Sequence, residues 1–220
     1  MTDYQGWLNI YKPLGISSFA VVKKIKKYFK LNKIGHGGTL DPLAEGVLPI
    51  AIGKATKLIS FINSDIKEYE FEIKWGEQTT TDDAEGEILY CSNFLPSEKE
   101  IKKALGNFKG EILQKPPKAS AIKIDGQRAY KLLREDKNFD LKEKKVYLYS
   151  SEIINSLSPK NTTKIKIKCG KGFYVRSFAR DIAEILNTKG HIFSLKRTKV
   201  GKFTLKNANL LDDLLKIGQT

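Results

Sequence analysis

Asp41 is the residue whose setting in the sequence most favours chemistry. It follows the glycine-rich run GHGGTL, residues 35–40, and it directly precedes Pro42. Proline disfavours helical geometry in the residue before it, so Asp41 is expected on extended or looped backbone. Glycines allow such a backbone to approach a ligand closely. The local setting leaves two alternatives open: a catalytic carboxylate, or the commoner turn or helix-capping aspartate.

Several familiar kinds of reaction site are excluded by their missing motifs. Gly53-Lys54 lacks both the earlier glycine and the following Ser or Thr of a phosphate-binding P-loop. The two histidines are too few for a zinc site, and the sequence has no GxSxG motif. Cys91 and Cys169 stand far apart without CxxC spacing and are expected to be reduced thiols. We therefore expect neither a metal nor a cofactor.

The charge of the chain indicates a polyanionic partner. Its 39 Lys and Arg residues outnumber 25 Asp and Glu residues, which gives a net charge of +14. Residues 1–60 hold nine lysines and three acids, and residues 160–206 hold thirteen Lys and Arg residues and two acids. Residues 65–111, between them, hold twelve acids and six lysines. Because cations that neutralise phosphates release counterions, this segregation favours nucleic-acid binding over a uniformly solvated surface.

The elements around Asp41 are predicted from caps and periodicity. Ser17-Ser18 can cap a helix, whose apolar positions recur at helical spacing: Phe19, Val22, Ile25 and Phe29. Residues 46–53 are typical of a buried strand and residues 54–63 of a helix. Residues 68–75 alternate as a strand does, with four apolar side chains on one face: Tyr69, Phe71, Ile73 and Trp75.

The rest of the sequence predicts further strands and helices without regular β-α-β alternation. Ser97 and Glu100 have capping-box spacing, which predicts a helix to about Gly106. Asp125-Gly126 predicts a hairpin between residues 121–124 and 127–134. Strands are expected near 146–149, 164–169 and 191–198, and a helix after 170–172 with Phe178, Ile182 and Ile185 on one side. The fold class is therefore α+β, with a mixed, largely antiparallel central sheet flanked by helices and loops.

Five segments, in order, resemble the motifs of TruB-type tRNA pseudouridine-55 synthases. The segment around Asp41, GHGGTLDPLAEGVLP at 35–49, is similar to the signature of that family. The other four are NIYKPLGISS at 9–18, KEYEF at 67–71, GKGFYVRS at 170–177 and LKRT at 195–198. Together they span nearly the whole chain. The resemblance implies the pseudouridine synthase fold and a reaction that needs no cofactor.

The resemblance also implies three catalytic residues. Asp41 would be the catalytic carboxylate, acting either by covalent addition to the nucleoside or by abstraction of a sugar proton. Arg176 would favour its ionised form as a cationic neighbour. Tyr69 would stack on the uracil and serve in the late removal of the C5 proton, although its alternation also fits a core tyrosine.

Four further residues are implied as substrate-binding residues. His36 would brace the RNA stack from which the uridine is flipped, although a glycine-flanked histidine could equally be a surface residue. Leu195 would form an apolar wall of the pocket. Lys12, with its neighbouring proline, would shape the pocket wall and not touch the chemistry. Lys171 would meet RNA phosphates, and the same is expected of Lys23, Lys24 and Arg180.

The resemblance gives expectations about domain organisation as well. Residues 1–220 are expected to form a single catalytic domain, with a flexible insertion around 120–145 that clasps RNA. The small RNA-binding PUA domain that usually follows in bacterial relatives is expected to be absent. Thr80 stands where the family commonly has Asp, so it is left out of the site.

The expected activity is isomerisation of a T-loop uridine of tRNA to pseudouridine, with the tRNA T-arm as partner. A non-catalytic tRNA-binding or tRNA-folding module is the alternative, and a guided complex acting on another RNA is a third hypothesis. A monomer without an obligatory protein partner is expected. A cytoplasmic location without membrane contact is also expected, since the sequence lacks a signal peptide and a bilayer-length apolar run.

Overall fold

Short helices separate groups of one to three strands in the computed structural model, which describes residues 4–155 and 161–217. Its helices are α1 Ser18–Tyr28, α2 Ile59–Ser64, α3 Glu98–Leu105, α4 Ala129–Arg134, α5 Val175–Ile185 and α6 Leu211–Leu214. Short 3-10 turns span Gly53–Leu58 and Leu205–Asn207. Residues 1–3, part of the N-terminal segment that lacks the features of a signal peptide, lie outside the described residues.

The strands confirm the predicted fold class. They are β1 Gly6–Lys12, β2 Ile34–His36, β3 Ala44–Ile52, β4 Lys67–Trp75, β5 Glu77–Thr79, β6 Ile88–Cys91, β7 Gly110–Gln114, β8 Lys123–Ile124, β9 Gln127–Arg128, β10 Lys144–Asn155, β11 Thr162–Cys169, β12 Gly190–Val200, β13 Phe203–Thr204 and β14 Asn209–Leu210. Strand β3 pairs antiparallel with β1 and β2, and β10 does so with β7 and β11. The pairs β3–β12 and β1–β14 are parallel. The sheet structure is therefore mixed and largely antiparallel.

The chain divides into two compact units. Unit 1 consists of Met1–Glu70 with Leu195–Thr220, and unit 2 consists of Phe71–Ser194. Strands β4 and β12 each contribute residues to both units. The expectation of one catalytic domain over residues 1–220 stays a prediction.

Unit 1 is built on the strand order β14-β1-β3-β12. Helix α1 covers β1 and β3, because its buried residues share one apolar core with theirs: Ile10, Val21, Val22, Ile25, Leu48 and Ile50. The helix begins where the sequence predicts, since the Ser17 side chain accepts a hydrogen bond from the Ala20 amide at 3.1 Å. This core supports the loop between β2 and β3 that carries Asp41.

Unit 2 has the strand order β4-β11-β10-β7, and its core contains a cluster of aromatic rings. The Phe178 ring on α5 lies at the centre of three other rings, with centroid distances of 6.2 Å to Phe71, 5.1 Å to Phe108 and 5.5 Å to Phe173. Such edge-to-face and tilted contacts are the preferred arrangements of aromatic pairs. They anchor α5, the helix that carries Arg176.

Three local predictions are confirmed. Strand β4 alternates as expected, with Tyr69, Phe71, Ile73 and Trp75 all buried. Helix α3 begins with the predicted capping box, in which the Ser97 amide donates to a Glu100 carboxylate oxygen at 2.8 Å. The Asp125-Gly126 turn joins β8 and β9 as a two-residue hairpin.

Other local predictions are wrong in detail. Phe19 is 70% exposed, because the Ser18 side chain faces inward and turns Phe19 away from the core. Ile185 is exposed at the end of α5. Residues 54–63 form a 3-10 turn followed by α2 instead of one helix, and β9 ends at Arg128, directly before α4 begins at Ala129. The Ala129 amide donates back to the Ile122 carbonyl at 2.8 Å and ends the hairpin there.

Candidate active site

Asp41 lies in the loop that joins β2 to β3 in unit 1. The two strands pair antiparallel, with His36 opposite Ile50, so the loop leaves the sheet directly after His36. The Ala44 amide donates to the Asp41 carbonyl at 3.1 Å and closes the loop at its far end. The Asp41 residue is half-buried on this loop. The backbone at Asp41 is thus held at both ends, as the glycine and proline pattern suggests.

Lys12 is a fully buried lysine that holds this loop from the side of β1. Its ammonium donates to the carbonyls of Ile16 at 2.6 Å, Pro13 at 2.9 Å and Pro42 at 3.4 Å. The side chain has 0% exposure. Buried cations are stable only where hydrogen-bond acceptors surround them, and these carbonyls supply that. Lys12 therefore supports the backbone of this loop, and its role in a pocket wall stays a prediction.

Arg197 is a second buried cation at the loop, and sequence reasoning missed it. Its guanidinium donates to the carbonyls of Val47 at 2.8 Å and Gly38 at 3.0 Å, with a longer contact of 3.5 Å to Thr39. The residue is 1% exposed. The signal in the sequence was its place on β12, two residues after Leu195 and therefore on the same inward face.

Gly46 allows the backbone of Arg197 to lie close to β3. The two residues are partners in the parallel β3–β12 ladder. A Cβ atom on Gly46 would meet the Arg197 carbonyl oxygen at 2.3 Å, and Gly46 has a φ of +106°, which other residues rarely adopt. A side chain at this position would separate Arg197 from the loop that it contacts.

His36 ends β2 in a tightly packed setting between two glycines. A Cβ atom on Gly35 would meet Ile59 at 2.7 Å, and one on Gly37 would meet Ile62 at 2.6 Å. Burial lowers the pKa of His36, and the positive charge of Arg197 lowers this pKa further. The lowered pKa favours the neutral imidazole form of His36.

Tyr69 and Leu195 both lie on inward faces of strands in unit 1. Tyr69 is buried on β4, and Leu195 is buried on β12. Leu195 is the parallel ladder partner of Ala44, which follows Asp41 by three residues. The buried positions agree with both descriptions that the sequence left open, core residue and apolar pocket wall.

Arg176 is the second residue of α5 in unit 2, and its guanidinium is almost fully buried. It donates to the carbonyls of Thr81 at 2.9 Å and Ala119 at 3.1 Å. The Asp83 carboxylate lies 3.4 Å from the same guanidinium, and the side chains of the pair are 7% and 3% exposed. Asp41 belongs to unit 1, so the pairing of Arg176 with Asp41 stays a prediction.

The polar turn after β5 is organised around Asp83. Its second carboxylate oxygen accepts hydrogen bonds from the Thr81 hydroxyl at 2.5 Å and from the Glu85 amide at 3.1 Å. Thr80, which departs from the family pattern, accepts from the Glu87 amide at 3.2 Å. Thr80 thus stabilises the hairpin formed by β5 and β6. Asp83 is the acid of this turn that contacts Arg176.

Arg180, which was expected to bind RNA phosphates, binds carboxylates and a carbonyl of the protein itself. Its guanidinium contacts carboxylate oxygens of Asp82 at 3.0 Å and Asp181 at 2.9 Å, and it donates to the Lys115 carbonyl at 2.7 Å. Burial raises the pKa of Asp181 to about 6, although the Arg180 charge opposes this rise. Burial also raises the pKa of Asp82. Arg180 therefore ties three segments of unit 2 together.

Lys171 is exposed in the loop between β11 and α5, as a phosphate contact requires. The Gly170 amide at the start of this loop donates to the Tyr147 carbonyl at 2.9 Å, and Gly172 has a φ of +77°. The loop thus presents Lys171 on a defined backbone. Among the described residues, no group of three or more His, Cys, Asp and Glu side chains could hold a metal ion.

The order of these segments matches one protein family. The family described as TruB family pseudouridylate synthase (N terminal domain) matches residues 26–175, which include Asp41, Tyr69 and the start of α5. The chain belongs to the TruB family. As a member it is a pseudouridine synthase, which is an isomerase. No helix in the described part of this TruB-family chain has the length and apolar character needed to span a bilayer.

Curated relatives of this TruB-family chain cover nearly all of it. It is 48% identical over 209 residues to tRNA pseudouridine synthase B of Ehrlichia ruminantium (strain Gardel), which is 95% of this chain and 71% of the relative. It is 46% identical over 215 residues to tRNA pseudouridine synthase B of Wolbachia pipientis subsp. Culex pipiens (strain wPip), which is 98% of this chain and 61% of the relative. Both relatives are longer than the matched region.

Solved structures share the TruB-family fold. A chain of a Cbf5-Nop10-Gar1 complex superposes with a TM-score of 0.74 at 29% identity, over 96% of this chain and 54% of that chain. A chain of an H/ACA RNP bound to a substrate RNA containing 2'-deoxyuridine superposes with a TM-score of 0.72 at 26% identity, over 96% of this chain and 52% of that chain. The protein therefore spans about half the length of these structural matches.

Proposed function

We propose that this TruB-family chain converts a T-loop uridine of tRNA, at position 55, to pseudouridine, with Asp41 as the catalytic carboxylate. The names of the curated relatives support tRNA as the substrate. The observation that carries the role of Asp41 is the loop on which it lies, whose backbone is bound by the buried side chains of Ser18 and Arg197 before Asp41 and of Lys12 after it. A catalytic group held in one geometry is already placed for the transition state.

The proposed reaction is an intramolecular rearrangement. The C1′–N1 glycosidic bond of the uridine breaks, a C1′–C5 bond to the same base forms, and the proton on C5 moves to N1 through the site or solvent. The atoms balance without an oxidant, a reductant or a second substrate. Asp41 acts either by covalent addition to the nucleoside or by abstraction of a sugar proton, and both roles require its carboxylate to be ionised.

Other residues would contribute to the pocket. Tyr69 would stack on the uracil and assist removal of the C5 proton, and Leu195 would form an apolar wall. The buried positions of both residues in unit 1 support these roles. The positive charge of Arg176 would stabilise the ionised carboxylate of Asp41. Neutral His36 would brace the loop stack after the uridine has been flipped out.

Substrate RNA would be positioned mainly through phosphates. Exposed Lys171 would make one such contact, while Lys12 would support the pocket wall from within the protein. Residues 120–145, with the β8–β9 hairpin and α4, would close over the T-arm. The chain would act as a cytoplasmic monomer that needs no protein partner, no metal and no cofactor.

The test is conversion of an isolated T-arm stem-loop by purified protein without added metal or nucleotide. We expect wild type to form pseudouridine and Asp41→Asn to form none while binding the RNA with similar affinity. Asp212→Asn, which changes an exposed acid of α6 in the same unit, is the matched control and should retain full activity.

Two outcomes would count against the proposal. Wild-type binding without conversion would favour the non-catalytic tRNA-binding or tRNA-folding module. Conversion by Asp41→Asn at the wild-type rate would remove Asp41 from the catalytic role and leave the activity in place.

A further inference from the structure

Arg197 is a buried cation whose partners are backbone carbonyls. Among residues 4–155 and 161–217, its guanidinium has no ion pair with a carboxylate, and it donates to Val47, Gly38 and Thr39. A buried charge normally requires a counter-charge or several well-aimed dipoles. Here the dipoles are the carbonyls of Gly38 and Thr39 in the loop before Asp41 and the carbonyl of Val47 in β3 after it. The position of this charge is therefore coupled to the shape of that loop.

The carbonyls around Asp41 are held by side chains from three different elements. Arg197 of β12 holds those of Gly38 and Thr39, which precede Asp41 by three and two residues. The Ser18 hydroxyl of α1 donates to the Leu40 carbonyl at 2.9 Å. The Lys12 ammonium of β1 donates to the carbonyl of Pro42, the residue after Asp41, at 3.4 Å. Of these three side chains, Arg197 is the one that donates both to the loop before Asp41 and to β3 after it.

We propose that Arg197 is a positioning residue for catalysis: its guanidinium holds the Gly38–Thr39 backbone against β3 and so fixes the direction of the Asp41 carboxylate. The inference rests on the proposed role of Asp41. Arg197 touches the loop backbone and acts on the reaction through it. Displacement of a catalytic group by about 1 Å can reduce a rate about 100-fold, so a small shift of this loop has a large effect.

The geometry requires arginine in particular. A guanidinium is a planar fork with five N–H donors, and it can reach Val47 and Gly38 in different directions at once. A lysine carries a compact ammonium that keeps the charge but cannot span the same acceptors. Arg197→Lys therefore separates the charge of the residue from its ability to bridge.

The experiment measures kcat, KM and T-arm affinity for Arg197→Lys and Arg197→Met at 15 °C, after circular dichroism has shown which variants are folded. Lys199→Met removes a cation from the same strand, one that is 44% exposed and lies 3.5 Å from Glu68, and serves as the matched control. For Arg197→Lys we expect kcat to fall about 100-fold, with KM and RNA affinity within about threefold of wild type. Lys199→Met should keep the wild-type kcat.

Each outcome decides the proposal. A folded Arg197→Lys or Arg197→Met with wild-type kcat would overturn it, and so would a loss confined to KM, which would make Arg197 a binding residue. If both variants are unfolded, Arg197 maintains the fold and has no separable effect on Asp41, which also overturns it. An inactive wild type would instead show that the proposed function has failed, and the positioning role with it.

Discussion

The Ser18 hydroxyl forms two hydrogen bonds with the backbone of Leu40, donating to its carbonyl at 2.9 Å and accepting from its amide at 2.8 Å. Both residues are buried, so water cannot replace either bond. Leu40 immediately precedes Asp41. One hydroxyl at the start of α1 thus satisfies both polar backbone groups of the residue next to the proposed catalytic carboxylate.

Ser18→Ala should destabilise the fold markedly for so small a change. It leaves the buried amide and carbonyl of Leu40 unpaired, and each such group costs about 1–3 kcal/mol, so we expect a loss of about 2–6 kcal/mol. Urea unfolding of wild type and Ser18→Ala measures this loss of stability. Ser64→Ala removes an exposed hydroxyl that donates to the Ser60 carbonyl at 3.1 Å, and it should change the stability by under about 0.5 kcal/mol. Equal losses in the two variants would contradict the role of Ser18.

Elements with a strong local pattern could be predicted from the sequence. The alternation of β4, the Ser97–Glu100 capping box and the Asp125-Gly126 hairpin each arise from contacts between residues close in sequence. The loop character of Asp41 follows likewise from its neighbour Pro42. In these places local preference and tertiary structure agree, so the sequence alone sufficed.

Features that depend on distant contacts could not be predicted in this way. The helical spacing of α1 suggested that Phe19 faces the core, but the inward direction is set by the Ser18 bonds to Leu40, 22 residues away. Arg197 contacts carbonyls about 150 residues earlier in the chain. Arg180 was predicted to bind phosphate because the sequence does not show its partners. Asp82 and the Lys115 carbonyl, which bind its guanidinium, come from distant segments of the chain. Periodicity contains no information about such pairings.

Removal of the Asp83 carboxylate should destabilise unit 2. Asp83→Ala leaves the Arg176 guanidinium without the carboxylate 3.4 Å away, in a site where both side chains are almost fully buried. Loss of one partner from a buried pair typically costs about 3–5 kcal/mol, which urea unfolding would detect. Glu111→Ala, which breaks an exposed pair with Lys145, is the control. If both variants lose the same stability, the buried pair does not support the unit.

The raised pKa of Asp181 predicts a pH-dependent stability. Burial raises this pKa from 3.8 to about 6 in the folded state. Between these values the folded chain binds more protons than the unfolded chain, so the contribution of Asp181 to stability decreases as pH rises. Relative to Asp181→Asn, wild type should lose about 2 kcal/mol of unfolding free energy between pH 4 and pH 7. A difference between the two proteins that stays constant over this range would contradict the burial of the charge.

Exposed lysines of α1 should bind RNA phosphates through charge. Lys23 and Lys24 lie on the exposed side of the helix, opposite its buried residues Val21 and Val22. Each phosphate contact adds about one unit to the slope of log affinity against log salt concentration. The double variant Lys23→Gln, Lys24→Gln should therefore weaken T-arm binding and reduce this slope by about two.

The matched control for the α1 variant is another pair of adjacent exposed lysines, Lys102 and Lys103 of α3. Their replacement by Gln removes the same net charge from the acidic part of the sequence. If the lysines act only through the net charge of +14, both double variants will change the slope equally. If α1 meets the RNA backbone, only the Lys23 and Lys24 variant will lower it, because counterions are released only where phosphates are neutralised.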